Sequence, residues 1–180
     1  MIGLPTSLNV AGKEYPIRTD YRVILTIFAA FSDPNLSEWE KITVCLYCLY
    51  KTVPDDLDEA LKQAMWFIDG AEPPGSGPNI RLMDWEQDEG MIFAAVNRVA
   101  GKEIRAAEYM HWWTFLGYFY EIGEGRFATV VGIRSKMAKG KPLTKEEREL
   151  LRDSGDTIKL KTRYSEEEIA EQERLKSIFK

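Results

Sequence analysis

The chain has 180 residues, 44% of them hydrophobic and 29% charged, with a net charge of −5. That is chain enough for one domain with a core of its own, in a composition ordinary for a soluble globular protein. Two cysteines exclude a disulfide scaffold, and the longest apolar runs, such as residues 23–30 with Thr26 inside, fall far short of the roughly 20 residues of a membrane span.

The start, Met1-Ile2-Gly3-Leu4-Pro5, lacks a charged and then a long apolar region, so no secretory signal is expected and the protein is expected in the cytoplasm of the cell that makes it. Residues 6–18 read as a β-hairpin. Leu8 and Val10 alternate with Ser7 and Asn9, Ala11-Gly12 turns the chain, and Tyr15 and Ile17 alternate with Glu14 and Pro16. Pro16 has no N–H for a ladder, which places its strand at an edge. A lone hairpin is marginal in water, so it must lie on helices or pair with another chain, and Val10, Tyr15 and Ile17 are the candidate self-association residues.

Asp20 is positioned to cap a first helix with Ile24, Ile27, Phe28 and Phe31 on one face. A second helix starts near Ser37, whose spacing to Glu40 fits a capping box, and Trp39, Ile42, Leu46 and Leu49 form its apolar set. Leu57, Leu61, Ala64, Met65 and Ile68 mark a third helix, with Asp55, Asp56, Asp58 and Glu59 at its positive end. Residues 70–79 contain six Gly or Pro and read as a flexible connector.

A fourth helix is expected over residues 84–101, with Asp84 as N-cap, Gln87 at the capping-box position and Gly101 as stop. A fifth is expected over about 106–122 and is apolar almost all round, a profile of central burial or an interface. Three of the five tryptophans and the only histidine fall in these two helices. Phe127, Val130, Val131 and Arg134 recur at helical spacing, Thr144 and Glu147 fit a capping box, and Ser165 with Glu168 begins a last, highly charged helix expected to be mobile or to order on binding.

These elements predict a mainly α fold with a small N-terminal β-hairpin: a multi-helix α+β domain with a Gly/Pro-rich connector and a mobile C-terminal helix. The expected organisation is a hairpin-plus-three-helix unit over 1–69, a connector over 70–83, a tryptophan-rich unit over 84–140 and a charged tail over 141–180, forming one globular domain overall.

No catalytic, cofactor or metal site is expected. Cys45 and Cys48 form a CxxC inside a helical run, with no second pair and one histidine in the chain, so two buried helical thiols explain them better than zinc or redox chemistry. Asp84, Glu86, Asp88 and Glu89 point in several directions on a helix and favour its N-terminus; only Asp84 and Asp88 share a face. His111 has no accompanying nucleophile motif and reads as a packing partner. Between Glu124 and Glu146 every charged residue is basic, including Arg126, Arg134, Lys136 and Lys139, so this run is a solvated face or a patch for nucleic acid or an acidic protein. Trp85, Trp113 and Phe115 are expected in the core. Trp112, Tyr118, Phe119 and Tyr109 are the candidate protein-binding aromatics.

The stretch Asn9-Val10-Ala11-Gly12-Lys13-Glu14-Tyr15-Pro16-Ile17-Arg18-Thr19-Asp20-Tyr21-Arg22 resembles the start of a family of proteins in the tail module of siphophages and prophages of Gram-positive bacteria. The resemblance continues in order through Asp84-Trp85-Glu86-Gln87-Asp88, Ile92-Phe93-Ala94-Ala95, His111-Trp112-Trp113-Thr114-Phe115-Leu116 and Ile133-Arg134, covering most of residues 8–136. Asp84, Trp85, His111 and Trp113 are its signature positions. Members are regarded as tail assembly chaperones encoded before the tape-measure protein. The resemblance implies a non-catalytic protein that coats the tape measure as a homo-oligomer, keeps it soluble, helps recruit tail-tube subunits (possible through a frameshifted longer form), works in the host cytoplasm and leaves before the virion is finished. No membrane partner is expected. The alternative is a nucleic-acid-binding or structural head- or tail-completion protein using the basic stretch 126–145.

Overall fold

The structure, a computed structural model, describes residues 3–72 and 80–178. Most of the expected connector, residues 73–79, lies outside the described residues. The architecture is mainly helical with an N-terminal antiparallel hairpin. The chain forms two compact units: Pro5–Phe67 together with Thr162–Lys180, and Ile68–Lys161 together with Met1–Leu4. Residues 141–180, expected as one tail, are thus divided between the two.

In the hairpin unit, β1 (Ser7–Val10) pairs with β2 (Lys13–Pro16) in the register Ser7 to Pro16 and Val10 to Lys13. Ala11 and Gly12 both take positive φ, 50° and 84°, the backbone of a two-residue turn whose twist matches the strands. The hairpin is fastened to the end of α2 (Glu38–Leu49). Ile17 bridges Tyr50, and the Arg18 guanidinium donates to the carbonyls of Tyr47, Cys48 and Tyr50 at 3.0, 3.1 and 2.6 Å. These are C-terminal carbonyls that the helix cannot satisfy itself, and a cation is the donor its dipole favours there.

Asp20 caps α1 (Tyr21–Ser32) by accepting from the Arg22 N–H at 2.9 Å. Ser37 and Glu40 complete the expected capping box of α2. α1 and α2 pack on each other over Ile24, Ile27, Cys45, Leu46 and Leu49. In α3 (Leu57–Ile68) the buried positions are Ala60, Ala64, Phe67 and Ile68, so Leu57, expected inside, lies at the surface. Tyr50 is buried and donates its hydroxyl to the Ala60 carbonyl at 2.8 Å. The unit is completed by α9 (Glu166–Ile178), whose first N–H donates to Asn35 Oδ1 at 2.8 Å.

The second unit holds α4 (Glu89–Ala100), a 3₁₀ turn (Ile104–Ala106), α5 (Trp112–Tyr120), α6 (Arg126–Ala138), α7 (Lys145–Asp153) and the single turn α8 (Gly155–Ile158). Two expected boundaries are corrected. α4 begins at Glu89, because residues 85–88 form a turn in which Asp84 accepts from the N–H groups of Glu86 and Gln87 at 3.0 and 2.8 Å. α5 begins at Trp112, because the chain from Ala107 to Met110 is not helical. Ile92, Phe93, Val96, Ile104, Trp112, Phe115, Phe127, Val130, Ile133 and Ile158 make the core of this unit.

Candidate interaction site

The expected acidic cluster is a buried ion pair. Asp88 has no exposed surface, and its two oxygens receive the Arg134 guanidinium in a bidentate pair at 2.6 and 2.9 Å. Arg134 is itself buried and also donates to the carbonyls of Leu82, Thr157 and Ile158. Asp88 Oδ2 further accepts from the Asp84 N–H at 2.9 Å, and Asp84 pairs with Arg81. Gln87, expected in a capping box, instead donates to the Lys159 carbonyl at 2.8 Å and accepts from the Lys161 N–H at 2.9 Å. One guanidinium and one carboxamide therefore hold residues 81–88, α6 and the chain around α8 together. Arginine suits the position, since its fork matches a carboxylate and still leaves donors for carbonyls.

This corrects the basic patch. Arg134 belongs to the core, and Lys136 is held by Glu147 at 2.6 and 2.8 Å, which pulls the Glu147 carboxyl below the ordinary range. Arg126 and Lys139 are exposed.

The aromatic residues divide in a way the sequence did not indicate. Trp112, a candidate docking residue, is fully buried: its ring stacks on Phe115 at 5.5 Å and its Nε1 donates to the Ile68 carbonyl at 2.8 Å. Phe119 is half-buried against Trp85 at 5.1 Å and Phe127 at 5.9 Å, and Tyr118 is half-buried. Tyr109 is exposed. Of the residues expected in the core, Phe115 is fully buried, while Trp85 and Trp113 are half-buried. His111 sits before α5 as its N-cap, with Nδ1 accepting from the Trp113 N–H at 3.0 Å. The self-association candidates Val10 and Ile17 are spent in the hairpin core, and Tyr15 is half-buried with its ring edge-on to Tyr50 at 6.4 Å.

The exposed tryptophans are elsewhere, on α2 and α3. Trp39 and Tyr47 on α2 are 63% and 68% exposed, and Trp66 on α3 is 43% exposed. Trp39, expected on the inner face of α2, shares its outer face with Thr43 and Tyr47 at i, i+4 and i+8. That spacing was readable, but not which of the two apolar stripes of α2 faces inward.

Cys45 is buried, and burial first, then the neighbouring Cys48 thiolate, pushes its thiol up to about 12. A thiol so disposed behaves as a small hydrophobe. In the second unit, α4 and α6 border a cavity of about 450 Å³ lined by Gly90, Met91, Ala94, Ala95 and Phe127 together with the exposed Arg98 and Arg126. Gly125, at φ 151°, keeps the Arg98 guanidinium close, since a Cβ there would lie 3.2 Å from it. No helix among the described residues is long and apolar enough to cross a membrane.

These features define a mainly helical α+β protein with a packed aromatic core in one unit and exposed tryptophans on the helices of the other. It belongs to the Bacteriophage Gp15 protein family, which matches residues 2–165. It is therefore a bacteriophage protein, and the family points to a structural or assembly role. No curated protein and no solved structure matches the chain.

Proposed function

We propose that this protein is a non-catalytic tail assembly chaperone that binds and coats the tape-measure protein in the host cytoplasm, keeps it soluble and helps bring tail-tube subunits to it. Membership in a bacteriophage family supports the setting. The observation that carries the binding role is the outer face of α2, where Trp39 and Tyr47 stand exposed on a helix whose opposite face is anchored in the core. Aromatic side chains on a rigid helix bury large area at small entropic cost, which is how a long amphipathic client is held.

The nucleic-acid alternative has less support, because Arg134 is committed to Asp88 and Lys136 to Glu147. Its binding would also fall steeply with salt.

The test is co-expression with the product of the tape-measure gene, reading soluble yield and co-purification. Soluble complex with the wild-type chain, lost in the Trp39→Ala/Tyr47→Ala variant and retained at high salt, is the expected result. A tape measure equally soluble without this protein, or the protein found as a stoichiometric component of purified virions by mass spectrometry, refutes the chaperone reading.

A further inference from the structure

The element with least cover is α9. Every side chain from Glu166 to Leu175 is exposed, including Ile169 and Leu175 at 46% and 45%. A helix of 13 residues is marginal in water without a packing partner. Glu166, Ile169 and Glu173 fall within about 60° of one another around the helix, so an apolar side chain is flanked one turn before and one turn after by carboxylates. Among the described residues neither of those two carboxylates is paired with a cation.

The groove between α4 and α6 has the opposite character. Its lining is largely apolar, from Met91, Ala94, Ala95 and Phe127 among others, and it carries two guanidinium groups, Arg98 and Arg126. Neither is paired with a carboxylate among the described residues. Both lie beside the first turn of α6, where Gly125 supplies no side-chain cap.

We propose that α9 of a second copy of this chain docks in the groove between α4 and α6, with Ile169 entering the apolar lining and Glu166 and Glu173 pairing with Arg98 and Arg126. The inference builds on the proposed function, since a protein that coats a long client needs copy-to-copy contacts. Groove and helix are different patches, so the contact is head-to-tail and propagates into an open assembly rather than closing a dimer. One helix in one groove is a small interface, which makes the association weak and reversible, as a coat that must later leave requires. Its charge component makes it sensitive to salt.

The experiment is sedimentation velocity of the full chain across a concentration series, with circular dichroism as a folding control. Wild type is expected to associate with rising concentration. Arg98→Glu/Arg126→Glu and Glu166→Arg/Glu173→Arg should each stay helical and require about tenfold more protein or beyond to associate. Ala94→Trp, which fills the groove without changing charge, should do the same. An equimolar mixture of the two charge variants is complementary at both junctions, acidic helix with basic groove and basic helix with acidic groove, and should associate as alternating chains, as wild type does. The fourfold charge swap should recover the wild-type series. Wild type that is monomeric throughout, variants that associate like wild type, or a mixture that does not pair would each overturn the proposal. Tape-measure co-purification is scored separately. A wild-type chain that associates but does not bind the client refutes the chaperone reading alone, and a wild-type chain that binds the client but does not associate refutes this contact alone.

Discussion

Replacing Arg134 with methionine isolates the buried ion pair as the keystone of the second unit. The substitution keeps most of the apolar volume but removes both bonds to Asp88, at 2.6 and 2.9 Å, and the donors to the carbonyls of Leu82, Thr157 and Ile158. It leaves a fully buried carboxylate with only the Asp84 N–H and no cation. Breaking such a pair costs about 3–5 kcal/mol, because the surviving charge has lost its compensation while still out of water. For a chain of this size that is a fall in Tm of about 10 °C. Replacing both partners, Asp88→Leu with Arg134→Met, removes the orphaned charge. It should recover part of the loss and leave a deficit set by the carbonyls without donors. Differential scanning calorimetry or urea unfolding of the wild type, both single variants and the double variant gives the coupling energy directly. A single variant within about 0.5 kcal/mol of wild type, or strictly additive losses, would refute the keystone role.

Three further outcomes are expected. Trp112→Ala should lose about 3–5 kcal/mol, whereas Trp39→Ala should stay within about 0.5 kcal/mol of wild type, as thermal melts of the two will show. A native thiol assay near neutral pH should find Cys45 inert until the chain is denatured, because its thiol is buried and pushed up to about 12, while the half-buried Cys48 is labelled first. Stability should fall on acidification below the ordinary carboxyl value of 4.5. The Arg105 guanidinium and N–H hold Glu103 at about 2, and Lys136 holds Glu147 low, so the unfolded chain takes up these protons first. Their contribution is complete above 4.5 and lost towards about 2; Glu103→Gln should flatten part of that slope in melts across this range.

The features legible in the sequence were those that depend on near neighbours. Ser37 with Glu40, Thr144 with Glu147, Asp20 before α1 and the Ala11-Gly12 turn all satisfy local backbone groups, and each appears where local chemistry put it. The Asp88–Arg134 pair was not legible, because each residue already had a sufficient local explanation: an acid near a helix start and a cation in a basic run. Nothing local links positions 46 residues apart. His111 was missed as a cap for a related reason. The apolar pattern runs unbroken through residues 106–122 with no Gly or Pro before Gly117, so periodicity alone could not reveal the break at residues 107–110. Trp39 and Trp112 were assigned to each other's environments because hydrophobicity says that a side chain seeks cover, not which helix supplies it.

The division of the chain also sets an order of events during synthesis. The hairpin, α1, α2 and α3 leave the ribosome first and can collapse on local contacts, and the contiguous stretch Ile68–Lys161 follows as a unit. Only then does α9 emerge to rejoin the first unit, through a bond spanning 131 residues. A copy therefore gains its proposed handle for the next copy last, and half-made chains on neighbouring ribosomes lack this helix.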